Sequence, residues 1–258
     1  MSEKEYAFPT EVLTLPSKGL LYPKDHPLSS GTIDVKYMTA KEEDILTSSN
    51  LIEKGLVIER LLEAVIANPK IKLQDMLVGD KNALMVGTRV LGYGPEYTIK
   101  IEDPDTSLEV EHTFNLTNLK TKEINYKLLE GGENKFKYTT EKSKTELEFK
   151  LLTGIDEQNI TKELKGYEKI AKVTGVDNSL TTRLKYQIIS VDGDTKQEAI
   201  NDFVDNRFLS LDTRAYRKYV DSITPDIIFK QEYVSELGDT HTVDIPIGVR
   251  FFWPDAEI

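Results

Sequence analysis

Cysteine is absent from the sequence, which removes disulfides, thiolate metal sites and cysteine nucleophiles together. Histidine occurs three times, at His26, His112 and His241, and none begins the i, i+4 pair of a helical zinc site. No stretch approaches the roughly 18 uncharged apolar residues of a spanning helix. The opening MSEKEYAFPT lacks a basic segment followed by an apolar one, so the chain reads as cytosolic at synthesis, with no membrane partner. Phosphate loops are missing too, because Gly87, Gly92 and Gly94 do not follow the GxxxxGK[ST] or GxGxxG order, and no GxSxG is present. Basic charge is in deficit: 33 Lys and Arg against 44 Asp and Glu leave a net charge of -11. Such a surface repels phosphate backbones, so nucleic acid is not an expected partner.

What is present is a soluble globular balance, 39% hydrophobic and 30% charged with a mean hydropathy of -0.39. At 258 residues the chain can bury a core without chemical staples. Four prolines precede Thr39, at Pro9, Pro16, Pro23 and Pro27, with Gly19 and Gly31 among them. They predict an extended N-terminal arm over residues 1–37 that ends in a short strand, Thr32 to Tyr37, and either wraps its own domain or reaches a neighbour. Thr39 to Glu42 has the form of a capping box and predicts a helix start. Val57, Ile58, Leu61, Leu62, Val65 and Ile66 then recur at helical spacing within one face from about Leu51 to Ala67. Asp80 is read as the cap of a third helix running through Leu91, with Gly92 as its left-handed exit.

From Tyr97 the period changes to two. Tyr97, Ile99 and Ile101 alternate with polar residues, as do Val110, His112 and Phe114 beyond a turn at Glu102-Asp103-Pro104-Asp105, which predicts a β-hairpin. Phe136 to Tyr138 and Leu147 to Leu151 predict a second pair of strands. Helical spacing returns with Ile160, Leu164, Tyr167 and Ile170, with Leu180, Leu184 and Ile188, with Ala199, Ile200 and Phe203, and with Ala215, Tyr219 and Ile223. A last hairpin is expected over Ile227 to Val234 and Thr242 to Val249. The expected fold is α+β, with helical segments and antiparallel β-hairpins in three parts: the arm at 1–37, helices followed by a β region at 38–155, and a helical bundle with a C-terminal hairpin at 156–258.

Few groups are arranged for chemistry. Asp192-Gly193-Asp194 opens like a calcium loop, yet the position of the bidentate glutamate is Phe203, so a turn and helix cap is the better reading. Glu42, Glu43 and Asp44 sit where the macrodipole of a helix start favours negative charge, and they could also meet a basic partner. The unusual apolar residues lie near the two ends: Leu20, Leu21 and Tyr22 in the arm, and Phe251, Phe252 and Trp253 near the C-terminus. Aromatic residues so placed either fold back onto the core or anchor a partner. These nine residues, Leu20, Leu21, Tyr22, Glu42, Glu43, Asp44, Phe251, Phe252 and Trp253, are the candidate partner-binding set. No catalytic set, metal site or cofactor is expected.

The run Leu15-Pro16-Ser17-Lys18-Gly19-Leu20-Leu21-Tyr22-Pro23, then Met38-Thr39-Ala40-Lys41-Glu42-Glu43-Asp44-Ile45-Leu46, then Gly79-Asp80-Lys81-Asn82-Ala83 with Arg89 and Tyr93-Gly94, resembles the T4-type bacteriophage baseplate hub and hub assembly protein family. The likeness is best over about residues 13–116, and the ending Ile245 to Pro254 is similar to the close of longer relatives. Some relatives carry CxxC pairs at hairpin tips in the manner of a zinc ribbon. The matching tips here are Asp103-Pro104-Asp105 and Ser235-Glu236-Leu237-Gly238, so a zinc role does not carry over. The resemblance implies a non-enzymatic part in assembling the baseplate hub, as chaperone or hub subunit. It implies baseplate hub proteins and the tape-measure protein as partners, in the host cytoplasm during assembly or in the virion tail. The competing class is a metal-dependent hydrolase or nuclease, which would require Asp103, Asp105, His112 and His241 to converge.

Overall fold

The computed structural model describes residues 9–252, apart from the side chains of residues 168–174 and 249. Trp253 and the side chain of Ile170 therefore lie outside the described residues. The fold is α+β, and all its sheets are antiparallel. Strand β1 (Thr10–Thr14) pairs with β2 (Thr32–Lys36), from Thr10 opposite Lys36 to Thr14 opposite Thr32. The proline-rich segment between them closes into a loop whose Leu15, Leu21, Tyr22 and Leu28 are buried, so this part of the arm wraps its own domain.

Helix α1 (Ala40–Leu46) starts at the capping box: the Thr39 N–H donates to Glu42 Oε2 at 2.8 Å, and the Lys41 N–H donates to Thr39 Oγ1 at 3.3 Å. The apolar face expected from Leu51 to Ala67 is divided into α2 (Ser49–Lys54) and α3 (Val57–Val65). Gly55 takes φ +68° between them, a left-handed conformation that ends a helix and that glycine adopts without steric cost. Helix α4 spans Val78–Tyr93 and differs from expectation at both ends. Leu77 is its N-cap, which places Asp80 inside the first turn, and the chain leaves the helix at Gly94 rather than Gly92. Gly79 allows α4 to touch the backbone of Pro225, whose carbonyl oxygen would lie 1.9 Å from any Cβ at that position.

Strands β3 (Glu96–Glu102) and β4 (Glu109–Asn115) form the expected hairpin, burying Tyr97, Ile99 and Ile101 on one face. Strands β5 (Phe136–Thr139) and β6 (Glu146–Phe149) form the second pair and are joined by an unforeseen third, β7 (Ile188–Val191). Helix α5 (Gly154–Thr174) is followed by α6 (Ser179–Gln187), which stops one residue before Ile188. The spacing of Ile188 from Leu184 fits a helix, but the same residue fits a strand. Pairing with Phe149 of β6 buries it and decides the matter. The second helical section is thus not a pure bundle. Asp192 and Gly193, both at positive φ, turn the chain out of β7 into α7 (Gln197–Asp202). The Asp192-Gly193-Asp194 segment therefore supplies the turn; the N-cap of α7 is Lys196, without a side-chain cap. A π-helical turn, Phe203–Arg207, leads on toward α8 (Ser210–Ile223). Strands β8 (Lys230–Val234) and β9 (Thr240–Asp244) complete the last hairpin, shorter than expected, before a 3-10 turn at Val249–Phe252.

A contiguous hydrophobic cluster runs from Leu15 to Phe252 and draws on all three expected segments. The three-stranded sheet packs on α8 through aromatic contacts: the Phe149 ring meets the Tyr216 ring edge-on at 5.3 Å, and Tyr138 meets it at 5.5 Å. Residues 120–122 and 226–228 run side by side, with Lys122 N–H donating to the Asp226 carbonyl at 2.8 Å.

Candidate functional site

The most concentrated polar structure is buried under the N-terminal loop. Asp80, fully inaccessible in the first turn of α4, accepts three hydrogen bonds: from the Ser17 N–H at 2.9 Å, the Ser17 hydroxyl at 2.6 Å and the Tyr22 hydroxyl at 2.7 Å. Tyr22 in turn accepts from the Leu77 N–H at 2.9 Å. Burial pushes the Asp80 carboxyl above its usual range, against the pull of the Ser17 and Tyr22 donors. Burial, and then the nearby Asp80 charge, push the Tyr22 phenol far up, which keeps it a donor. Nine residues later on α4, Arg89 is also buried. Its Nε donates to the Phe251 carbonyl at 2.8 Å, and its two terminal nitrogens donate to the Gly94 and Glu96 carbonyls at 2.9 and 3.0 Å. One helix thus ties down the N-terminal loop through a carboxylate and the C-terminal turn through a guanidinium.

The two hairpin tips meet. Asp105, beyond β3, accepts from the Ser235 hydroxyl at 2.5 Å and lies 2.9 Å from His241 Nε2 on β9. Ser235, then His241, hold the Asp105 carboxyl below its usual range, and Asp105 raises the His241 imidazole above its own. Asp103 turns inward: its Oδ1 accepts the N–H groups of Asp105 and Thr106, and its Oδ2 is buried without a hydrogen-bonding partner among the described residues. His112 packs against the rings of Phe114 and Tyr233, at 4.7 and 5.3 Å. Two members of the suspected metal set, Asp105 and His241, therefore come together and bond each other. Among the described residues no group of three or more His, Asp or Glu side chains is placed to hold a metal ion.

The candidate partner-binding residues are placed unevenly. Leu21, Tyr22, Phe251 and Phe252 are buried within the chain, and Phe251 meets Tyr97 edge-on at 5.1 Å. Leu20 is half-buried against the same core. Glu42 is committed to capping α1, while Glu43 and Asp44 are exposed. The apolar end residues Leu21, Tyr22, Phe251 and Phe252 thus take the fold-back alternative, and the groups that dock them, Ser17, Asp80 and Arg89, are outside the candidate set. A signal existed in retrospect, since Asp80 and Arg89 lie nine residues apart among the apolar positions of α4.

An open groove of about 980 Å³ lies between α3, α4 and α5. Its lining includes the apolar side chains of Ile58, Val78, Met85, Phe229, Ile245 and Ile247. Its described rim carries six basic side chains against three acidic ones. Arg60 pairs with Glu63 at 2.9 Å, Lys81 with Glu59 at 3.8 Å, and Arg183 with Glu157. Lys54, Lys162 and Lys165 remain, exposed and with no acidic partner among the described residues. No helix of the described residues is long and apolar enough to cross a membrane.

Among the described residues, the buried Asp80 and Arg89 bond within the chain itself, while the groove between α3, α4 and α5 is open and bordered mainly by basic side chains. The family model described as T4 bacteriophage base plate protein matches residues 12–252. The chain belongs to that family of T4-type phage baseplate proteins. No curated protein and no solved structure matched it. The matched span begins in β1 and ends on Phe252, beside the Phe251 carbonyl that Arg89 holds.

Proposed function

We propose that the chain acts in building the baseplate hub by binding other proteins, as an assembly chaperone or as a hub subunit. Its partners on this reading are other baseplate hub proteins and the tape-measure protein, met in the host cytoplasm during assembly. Retention as a subunit would place it in the virion tail baseplate. The single observation that carries the reading is family membership over residues 12–252. The motif residues agree with it in a physical sense: Ser17, Tyr22, Asp80 and Arg89 tie both ends of the matched span to one helix, which makes a firm scaffold for surface recognition. Of the described candidate contact residues, Glu43 and Asp44 are exposed and Leu20 is partly so. Leu21, Tyr22, Phe251 and Phe252 would reach a partner only if the ends undocked. The hydrolase alternative required Asp103, Asp105, His112 and His241 to converge; of these four, Asp105 and His241 meet, whereas Asp103 Oδ1 bonds the backbone of its own turn and His112 packs against Phe114 and Tyr233.

The test is affinity purification of the tagged full chain from cells infected by its phage. Baseplate hub proteins and the tape-measure protein should copurify. Their absence, with the chain folded and abundant, would count against the proposal. Mass spectrometry of purified particles then separates subunit from chaperone.

A further inference from the structure

We propose that the groove between α3, α4 and α5 is a docking site for an acidic amphipathic helix of a partner protein; this rests on the binding function proposed above. Charge complementarity is the first argument. The chain as a whole carries 44 acidic against 33 basic side chains, yet the described rim of this groove reverses the balance, six basic to three acidic. Every acidic rim residue is already paired within the chain, so the positive surplus falls on Lys54, Lys162 and Lys165. Lys165 reaches over the end of α2, where its Nζ would lie 3.8 Å from a Cβ at Gly55, so these lysines are gathered along one edge. The surplus continues beyond Arg183, which also borders a neighbouring groove lined by Arg214, Arg217 and Lys218 against Asp221 alone.

The lining argues for protein rather than polyphosphate. A nucleic-acid backbone gains from cations and stacking platforms. Here the groove lining offers aliphatic and thioether side chains plus Phe229, suited to an apolar stripe. Three of the walls are helices, α3, α4 and α5, whose backbone donors are spent on intrahelical bonds, so side chains are what these walls offer an occupant. A helix about 10 Å across, sunk to its axis, would fill such a volume over roughly five turns. The occupant is therefore a helix with leucine-like residues on one face and glutamate or aspartate beside them.

The experiment uses the full chain and a fluorescein-labelled synthetic helix of about five turns, with leucines at i, i+3, i+4 and i+7 and glutamates elsewhere, read by fluorescence anisotropy. Saturable binding is expected. It should weaken at least ~10-fold (about 1.4 kcal/mol) in Lys162→Glu/Lys165→Glu, whose unfolding curve should match the parent because both side chains are exposed. A peptide of the same composition with its leucines scattered should bind at least ~10-fold more weakly. The proposal is overturned by no saturable binding, by equal affinity for the scattered peptide, by indifference to the double substitution, or by tighter binding of duplex DNA. It is also overturned by a dimer of the chain that the double substitution abolishes, since the groove would then hold a second copy. If copurification with hub proteins persists while the peptide fails, only the groove assignment falls. If the peptide binds as described but hub proteins do not copurify, the groove assignment stands and the hub reading falls.

Discussion

Replacing Asp80 by alanine should be among the most damaging single changes in the protein. The substitution would strand three buried donors, the Ser17 N–H, the Ser17 hydroxyl and the Tyr22 hydroxyl. An unsatisfied buried donor costs about 1–3 kcal/mol. The hydroxyls can rotate and the desolvation of the carboxylate is recovered, so a net loss of about 3–5 kcal/mol is expected from those increments. That is a large share of the roughly 5–15 kcal/mol that holds most domains folded, and corresponds to a fall in Tm on the order of 10 °C for a chain of this size. Urea unfolding followed by circular dichroism measures it. Asp80→Asn separates charge from geometry, because it keeps an acceptor and cannot titrate. Since burial raises the folded carboxyl of Asp80, the folded state holds its proton at pH values where the unfolded chain has lost it. The stability advantage of the parent over Asp80→Asn should therefore be largest at the acid end, near the ordinary carboxylate value of about 4, and shrink as pH rises through the raised folded value. An alanine variant within about 1 kcal/mol of the parent, or parallel pH curves for parent and Asp80→Asn, would refute the account of Asp80 as a buried, donor-saturated tie.

Three further outcomes follow from the same geometry. Gly79→Ala would set a Cβ 1.9 Å from the Pro225 carbonyl oxygen, so α4 must shift; overpacking of this kind costs about 1–3 kcal/mol or more, visible as a lowered Tm. Tyr216→Phe should be neutral or stabilising by up to about 1 kcal/mol in urea unfolding, because the Tyr216 hydroxyl is buried with no hydrogen-bonding partner among the described residues while its ring makes the core contacts. His241 should titrate above its ordinary value by NMR and return toward it in Asp105→Asn, whose neutral amide no longer stabilises the imidazolium. The hairpin latch is accordingly expected to hold best with His241 charged and Asp105 ionised: it weakens as pH rises through the raised imidazole value, and again as pH falls through the lowered carboxyl value.

Local chemistry was legible where it acts locally. The Thr39–Glu42 capping box, the period-two alternation of β3 and β4, and the helical face of α3 depend on neighbours a few residues away, and each appears where the pattern put it. The family likeness was legible for the same reason, as motifs written in contiguous residues, and membership extends over residues 12–252. The division at Gly55 was locally encoded as well, yet masked by apolar spacing that continues across it.

Composition and pattern by themselves determined the α+β class, the lack of cysteine chemistry and the acidic balance of the whole chain. Tertiary structure alone decided the rest. Ile188 became a strand because Phe149, 39 positions earlier, offered an edge. Asp80 became a buried tie because a loop some 60 residues before it folded over α4. The lysines of α2 and α5 came to border one cationic groove in an acidic protein because the fold brings chain segments more than a hundred residues apart to the same opening. Spacing along a chain reports which neighbours share a face; only the packed fold says what that face meets, because burial, pairing and electric field are properties of the assembled environment.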